Sequence, residues 1–203
     1  MAVMTASARD RLLEAALDRF GTDGPVAVSL DDVRVHAGVS VGALYHHFAD
    51  KAALVDALYL ELTEDFQIGF LAELRGHPTA KGAIKAGVAY YLRWVTRNRA
   101  GARILVGWSA APDGGPLVGH RPEHAALREL NRAFLAELRA WWDTHVHYGA
   151  LRPLPLDLVH ALWFGPAHEY TRQWLDSRGK RSPVAVTEAL ADAAWNTLKE
   201  IRR

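Results

Sequence analysis

The sequence predicts an all-α protein of about nine helices, with an N-terminal helix-turn-helix head and a larger C-terminal body. Apolar residues recur at intervals of three and four positions along most of the 203-residue chain. Segments rich in glycine and proline separate these amphipathic stretches, and no stretch has the convincing pattern of a β-strand. Half of the residues are hydrophobic, so we expect each part to form a packed core.

The first predicted helix covers residues 8–20, where leucine, alanine and phenylalanine recur at helical spacing. Gly21 and the Gly24–Pro25 pair are expected to end this helix. Ser29 then stands where the N-cap of a second helix belongs, and two aspartates follow it. Carboxylates in a first turn are favourable because they face the positive end of the helix dipole.

A helix-turn-helix is predicted where the second helix ends. Gly38 allows the turn, Ser40 caps the next helix, and a short third helix begins at about residue 41. This helix is expected to bury only Leu44 and Phe48. Its other positions carry small, tyrosine and histidine side chains, which is typical of a helix that enters the major groove of DNA.

The remaining helices form the predicted body. Asp50 caps a fourth helix, whose apolar positions continue as far as Phe66. Further helices are predicted at residues 79–98, 99–110, 122–147, 156–176 and 184–201. The segment 109–122, which holds three prolines, is predicted to be a loop. We therefore assign residues 1–52 to the head and residues 53–203 to the body.

Composition limits the classes of function. The chain has no cysteine, which excludes disulfides, thiol nucleophiles and cysteine-ligated zinc. No segment resembles a signal peptide or a membrane helix, so a cytoplasmic protein without a membrane partner is expected. Residues 1–60 contain five basic and eight acidic side chains. A DNA-binding function must therefore be inferred from the residue pattern, because there is no basic footprint.

No metal or catalytic site is predicted. His120 and His124 are four residues apart, but Pro122 between them is expected to begin a helix, which leaves His120 in the loop. His145 and His147 are two residues apart and diverge on a helix. We find no nucleophile–base pair and no phosphate-binding loop. The expectation is a protein with no metal, no cofactor and no enzymatic activity.

Several motifs of the head occur together in one order. They are LLEAALDRF, the Gly24 turn, Ser29, AGVS, GALYHHF and Asp50–Lys51. In residues 9–60 the sequence therefore resembles the tetracycline-repressor (TetR) family of bacterial transcriptional regulators. The resemblance implies a homodimer of all-helical subunits, each with a DNA-reading head and a ligand-binding, dimerising body. It implies a repressor that a small apolar or aromatic effector releases from an inverted repeat of double-stranded DNA.

The same resemblance implies which residues contact DNA. The predicted DNA-binding residues are Ser29, Ser40, Val41, Gly42, Ala43, Tyr45, His46, His47 and Lys51. Ser29, Tyr45 and Lys51 look like phosphate contacts, and the start of the third helix looks like the base-reading part. Val41 stands where many relatives have lysine; it can contact a thymine methyl group but cannot hydrogen-bond a base. Alternatively, Val41 only supports Leu44.

Two sets of body residues complete the prediction. The aromatic density suggests a pocket for a flat apolar ligand, although most tryptophans are expected to fill the core. The predicted ligand-binding residues are Tyr90, Tyr91, Trp94, Trp108, Phe134, Trp141, Trp163 and His168. By resemblance, the last two helices form the dimer interface; the alternative is that they pack only within their own subunit. The predicted interface residues are Leu156, Val159, Ala167, Tyr170, Ala189, Leu190, Ala193 and Leu198.

A second function stays open at this point. The protein could be a helical ligand carrier or enzyme whose DNA-binding head is vestigial. The acidic balance of the head and the valine at position 41 are consistent with that alternative.

Overall fold

The computed structural model describes residues 6–24, 27–107, 125–176 and 181–201. In these ranges it contains nine α-helices and no β-strand, so the predicted all-α fold is confirmed. The helices are α1 (Ala8–Asp23), α2 (Leu30–Ala37), α3 (Val41–His47), α4 (Lys51–Arg75), α5 (Ala80–Arg97), α6 (Arg99–Gly107), α7 (Ala125–His147), α8 (Leu156–Leu175) and α9 (Thr187–Leu198). None of the helices in these ranges has both the length and the apolar character required to span a membrane.

The helices group into two compact units. Unit 1 comprises Met1–Thr63 and Arg99–His124, and unit 2 comprises Glu64–Asn98 and Ala125–Arg203. The chain passes from unit 1 to unit 2 within α4 and returns between α5 and α6. The predicted functional boundary between residues 52 and 53 concerns DNA and ligand binding, and it stays a prediction.

Serine side chains begin the first two helices. The Ser7 hydroxyl accepts a hydrogen bond from the Asp10 amide at 3.1 Å, and the Asp10 carboxylate accepts one from the Ser7 amide. Ser29 and Asp32 repeat the same reciprocal arrangement at the start of α2. Such capping boxes satisfy amides that have no partner inside the helix. The predicted N-cap at Ser29 is therefore confirmed.

The first helix is longer than predicted, because Gly21 lies inside it. The helix ends instead at Gly24, which has a positive φ of 81°. A Cβ atom at Gly21 would lie 2.3 Å from Cβ of Ala100 on α6, and the Gly21 carbonyl accepts a hydrogen bond from Arg103. The glycine thus permits the close approach of α1 and α6 within unit 1.

The last predicted helix also differs from the structure. Pro183–Val186 form a short 3-10 turn, and α9 follows this turn and ends at Leu198. The chain becomes extended after Leu198, where Lys199 forms an isolated antiparallel bridge with Leu151. This pairing ends α9 three residues before the predicted limit. The predicted loop at 109–122 and the start of a helix at Pro122 lie outside the described residues.

Candidate DNA-binding surface and ligand site

The turn between α2 and α3 forms as its sequence predicts. Gly38 has φ 62° and ψ 39°, the left-handed conformation that glycine adopts most easily. Its amide donates to the Val35 carbonyl, and the Arg34 guanidinium donates to the Val39 carbonyl at 3.1 Å. Ser40 then accepts a hydrogen bond from the Ala43 amide and caps α3. The predicted helix-turn-helix is therefore present.

The third helix has one buried face and one exposed face. Leu44 and Phe48 are buried in unit 1, as predicted. Val41 is 54% exposed and Tyr45 is 57% exposed. Exposure of this size means that Val41 does not serve mainly to support Leu44. The exposed face therefore holds side chains that are available to another molecule.

Small and polar side chains complete this exposed face. Gly42 has no atom within 4 Å of the position that a Cβ would occupy, so the backbone is open there. His46 and His47 are both exposed, and their ring centroids lie 5.0 Å apart. Open backbone and hydrogen-bonding side chains on one short helix are suited to contact with the edges of bases.

Two predicted phosphate contacts have partners within unit 1. The Ser29 hydroxyl donates to the Asp32 carboxylate at 2.6 Å. Lys51, the first residue of α4, is half-buried, and its Nζ lies 6.0 Å from the centroid of the Phe20 ring. Burial lowers the pKa of Lys51, and the charge of Asp32 opposes that change. Contact of either residue with a phosphate would compete with these interactions.

The arginines of the head are also engaged internally. Three of them form ion pairs: Arg9 with Glu61 at 2.6 Å, Arg19 with Asp23 at 3.0 Å, and Arg34 with Asp31 at 2.6 Å. The fourth, Arg11, donates to the backbone carbonyls of Ala37 and Gly38 at 3.5 Å. Such surface ion pairs are weak, but they place carboxylates beside the cations. The described part of the head therefore presents little unbalanced positive charge.

Unit 2 contains a large aromatic cluster. Its rings belong to Phe66, Phe70, Tyr90, Tyr91, Trp94, Phe134, Trp141, Trp142, Trp163, Phe164 and His168. Phe70 is at its centre, with five other rings between 5.6 and 6.4 Å away, centroid to centroid. Ring pairs at these distances add stabilisation beyond simple burial. The rings fix α4, α5, α7 and α8 against one another.

The cluster brings together seven of the eight residues predicted to bind ligand. Trp108, the eighth, lies outside the described residues. The prediction missed Phe66, Phe70, Trp142 and Phe164 as members of the cluster. Their helical spacing indicates burial, but spacing alone does not show which helices will place their rings together.

The polar atoms of the cluster differ in their hydrogen bonding. The indole of Trp163 donates to the Ile84 carbonyl at 3.0 Å, and that of Trp94 donates to Asp65 at 2.8 Å. The hydroxyls of Tyr91 and Thr171 are buried and close enough to interact with each other, but neither oxygen makes a well-formed hydrogen bond. Unpaired buried hydroxyls are uncommon, because each loses its bonds to water.

The residues predicted at a dimer interface divide by burial. Val159, Ala167 and Leu198 are buried in the core of their own subunit. A residue covered in this way adds no surface for a partner, so the predicted interface role does not suit these three. Ala189 and Ala193 are exposed, and Leu156, Tyr170 and Leu190 are half-buried. These five remain candidates for a contact surface.

Comparison with known proteins places this helix-turn-helix among regulatory proteins. Residues 12–58 match the model of the bacterial regulatory proteins of the tetR family. The transcriptional repressor KstR2 of Mycolicibacterium smegmatis is 39% identical over 61 residues, which are 30% of this chain and 28% of that protein. This chain thus spans little more than a quarter of the curated relative.

Solved structures match over nearly the whole chain. A TetR-family regulator from Marinobacter aquaeolei has a TM-score of 0.76 at 17% identity and covers 96% of both chains. FadR from Bacillus subtilis, in complex with stearoyl-CoA, has a TM-score of 0.74 at 17% identity and covers 91% of this chain and 96% of its own. At this identity the likeness establishes the fold alone.

The class of the protein follows from these observations: an all-α chain with a regulator-type helix-turn-helix near its N-terminus. Its residues 12–58 match the bacterial tetR family, so the family resemblance predicted from the sequence is confirmed for the helix-turn-helix region.

Proposed function

We propose that this protein is a homodimeric transcriptional repressor that binds an inverted-repeat DNA operator and releases it when a small, mostly apolar ligand binds. The observation that carries the proposal is the exposed face of α3, which follows a properly formed turn and lies within the segment matching the tetR family. A helix presented in this way fits the major groove of DNA.

The side chains of α3 are better suited to recognising a base sequence than to strong electrostatic attraction to DNA of any sequence. Val41 offers methyl groups to a thymine, the open backbone at Gly42 permits close approach, and Tyr45 offers a hydroxyl to a phosphate. Because the head arginines are paired internally, we expect few ionic contacts with phosphates. Binding should therefore depend less on salt than it does for strongly basic regulators.

The proposed dimer uses the surface of α8 and α9 that the subunit leaves open. Ala189 and Ala193 on α9 are exposed, and Leu158 on α8 is 41% exposed although it is apolar. Small side chains allow helices to approach closely, and an exposed leucine gains from burial. A dimer would place two copies of α3 on half-sites about one helical turn of DNA apart.

The proposed coupling between ligand and DNA acts through α4. This helix carries Phe66 and Phe70 of the aromatic cluster and begins at Lys51. A ligand that inserts among the rings would have to shift this continuous helix. The ligand would favour release only to the extent that it binds the shifted state more tightly.

Selection of bound fragments from the source genome by the purified protein tests the proposal. We expect enrichment of short inverted repeats and a dimer in sedimentation at micromolar concentration. Tyr45→Ala should weaken binding and so reduce the enrichment, whereas Tyr148→Ala, at a tyrosine that is 75% exposed on unit 2, should leave it unchanged. Enrichment that is independent of Tyr45, or none at all, would contradict DNA reading by α3.

The ligand-carrier or enzyme function remains the second candidate, because the internal pairing of the head arginines suits a head that no longer binds DNA. A protein that binds apolar ligands and selects no DNA sequence would support this second candidate.

A further inference from the structure

The aromatic cluster contains a small group of polar side chains, Tyr91, His168 and Thr171, here named the polar triad. Tyr91 is on α5, and the other two residues are one turn apart on α8. The rings of Tyr91 and His168 meet edge to face with centroids 4.9 Å apart. Phe164, one turn before His168, stacks on its imidazole at 5.8 Å and also contacts Tyr91. The triad is thus enclosed by aromatic surface.

Much of the hydrogen-bonding capacity in the triad is unused. Thr171 is fully buried and Tyr91 is 5% exposed, and their hydroxyls interact with each other, yet neither makes a well-formed hydrogen bond among the described residues. A buried hydroxyl without a partner loses its bonds to water and gains nothing in return. Even when the two hydroxyls bond to each other, one donor and several acceptor positions are left over, and a bound molecule could use them.

The triad is also electrically neutral. Burial, and secondarily the charge of His160, lower the pKa of His168 to about 4. Burial raises the pKa of Tyr91 to about 12, the interaction with the Thr171 hydroxyl opposes that change, and in the described part of the chain no charged group contributes to it. On the same helix, Glu169 and Arg172 pair with each other at 2.7 Å. At neutral pH the triad therefore offers donors and acceptors without a compensating cation.

We propose that the polar triad binds the neutral hydrogen-bonding group, a hydroxyl or a carbonyl, of an otherwise apolar, ring-containing effector. This inference rests on the proposed function, because it names the class of ligand that the repressor senses. A carboxylate or phosphate is disfavoured at this place, because it would lose its water without gaining a positive partner. Aromatic rings around the triad would enclose the apolar part of the ligand.

A route to the triad is provided by His160. This residue is exposed, and its ring lies 5.3 Å from that of His168 and 5.9 Å from that of Phe164. Because the rings touch one another, a ligand must displace some of them as it enters. Such a displacement at α5 and α8 is the kind of change that a ligand-controlled switch requires.

Titration calorimetry at pH 7.5 with four probes of similar size tests the proposal. The probes are 2-naphthol, 2-acetonaphthone, 2-ethylnaphthalene and 2-naphthoate. We expect the naphthol and the ketone to bind about 5- to 10-fold more tightly than the hydrocarbon, as one or two hydrogen bonds allow. The naphthoate should bind at least about 10-fold more weakly than the naphthol.

The double variant Tyr91→Phe, Thr171→Val tests whether the triad causes this preference. It should bind 2-ethylnaphthalene as the parent does and lose the preference for the two polar probes. Its Tm should stay close to that of the parent, because the removed hydroxyls make no well-formed hydrogen bond in the protein. Tyr148→Phe, which removes an exposed hydroxyl, is the matched control and should change neither quantity.

Several results would overturn the proposal. They are equal or tighter binding of 2-naphthoate, a preference that persists in the double variant, a fall in Tm of several degrees on removing the hydroxyls, or no binding of any probe. Fragment selection on the same preparation separates the two proposals. Enriched repeats without the probe preference would refute only the ligand class, whereas the probe preference without enriched repeats would refute only the repressor function.

Discussion

The exposed face of α3, which we propose binds DNA, and the aromatic cluster of unit 2, which we propose binds ligand, hold their side chains in opposite ways. On α3, Val41 and Tyr45 are more than half exposed and contribute little to the core. In the cluster, Phe70 and Trp163 are at most 1% exposed and contact several other rings. A DNA-reading surface can therefore change sequence at little cost in stability. A ligand site made of core residues cannot change sequence without loss of stability, because ligand recognition and folding depend on the same rings.

Removal of a central ring should have the largest effect. Phe70→Ala should lower the free energy of unfolding by about 3–5 kcal/mol, because it leaves a cavity in the aromatic cluster. Tyr45→Ala should lower it by less than about 0.5 kcal/mol, because that side chain is mostly in water. Urea unfolding measures both. Comparable losses of unfolding free energy in the two variants would contradict the proposed difference between the regions in their contribution to stability.

Acid should destabilise the protein through His168, which is half-buried. The pKa of His168 is about 4 in the folded protein and about 6.5 in the unfolded chain, so the unfolded chain binds more protons between these values. Stability is therefore full above pH 6.5 and falls as the pH drops, by up to about 3 kcal/mol at pH 4. Partial loss of water contact around the rings also lowers the pKa values of His145 and His160, although His160 is partly exposed, which adds a loss of the same sign.

The variant His168→Gln isolates this histidine, because carboxylates that titrate in acid are common to both proteins. Urea unfolding at a series of pH values from 7.5 to 4.5 should show a smaller loss of stability in the variant. Parallel pH profiles for parent and variant would show that His168 does not cause the acid sensitivity.

Two glycines of unit 1 should respond in opposite directions to alanine. Gly21→Ala places a Cβ 2.3 Å from Cβ and 2.8 Å from Cα of Ala100, so α1 and α6 must separate. Overpacking of this kind costs about 1–3 kcal/mol, against a gain of about 0.5–1 kcal/mol from better helix propensity. Gly42→Ala meets no atom within 4 Å and should gain stability while weakening DNA binding. Equal thermal stability of the two variants would argue against the close approach at Gly21.

The two capping boxes allow the effect of a serine on stability to be distinguished from its effect on DNA binding. Ser7→Ala and Ser29→Ala should each cost about 1 kcal/mol of unfolding free energy, because each removes the hydroxyl that accepts a hydrogen bond from a first-turn amide of the helix. Only Ser29→Ala should also weaken binding to a selected operator, since only Ser29 is proposed to contact a phosphate. Calorimetric unfolding and DNA titration on the same samples check both statements. Equal operator affinity of the two variants would remove Ser29 from the interface.

The smallest expected effect concerns Val41. Val41→Ser should weaken binding by about 1 kcal/mol at a site with the contacted thymine, because one or two methyl groups lose their contact. On DNA with uracil in place of that thymine, the substitution should have little effect. The salt dependence should stay unchanged, whereas Lys51→Ala should reduce its slope by about 0.9 for each subunit contact. An altered salt slope in Val41→Ser, or equal losses on the two DNAs, would contradict thymine reading.

Local chemistry allowed the head to be predicted in detail. The capping serines, the left-handed Gly38 and the burial of Leu44 and Phe48 depend on residues within a few positions of one another. The same locality explains the errors. From the sequence alone, Gly21 indicates the end of a helix, and only the packing of α6 against it shows why a glycine lies inside α1. The end of α9 depends on pairing with a segment almost fifty residues earlier in the chain.

The sequence by itself determined the all-α class, the helix-turn-helix and the exposed character of α3, because hydrogen bonds and side-chain spacing within single segments decide them. Only the tertiary structure showed that Phe66, Phe70 and Phe164 join the predicted aromatic residues in one cluster. It alone showed that the hydroxyls of Tyr91 and Thr171 are buried together without well-formed hydrogen bonds. Those facts depend on how α4, α5 and α8 pack, and the free energy of that packing comes from contacts between residues far apart in the chain.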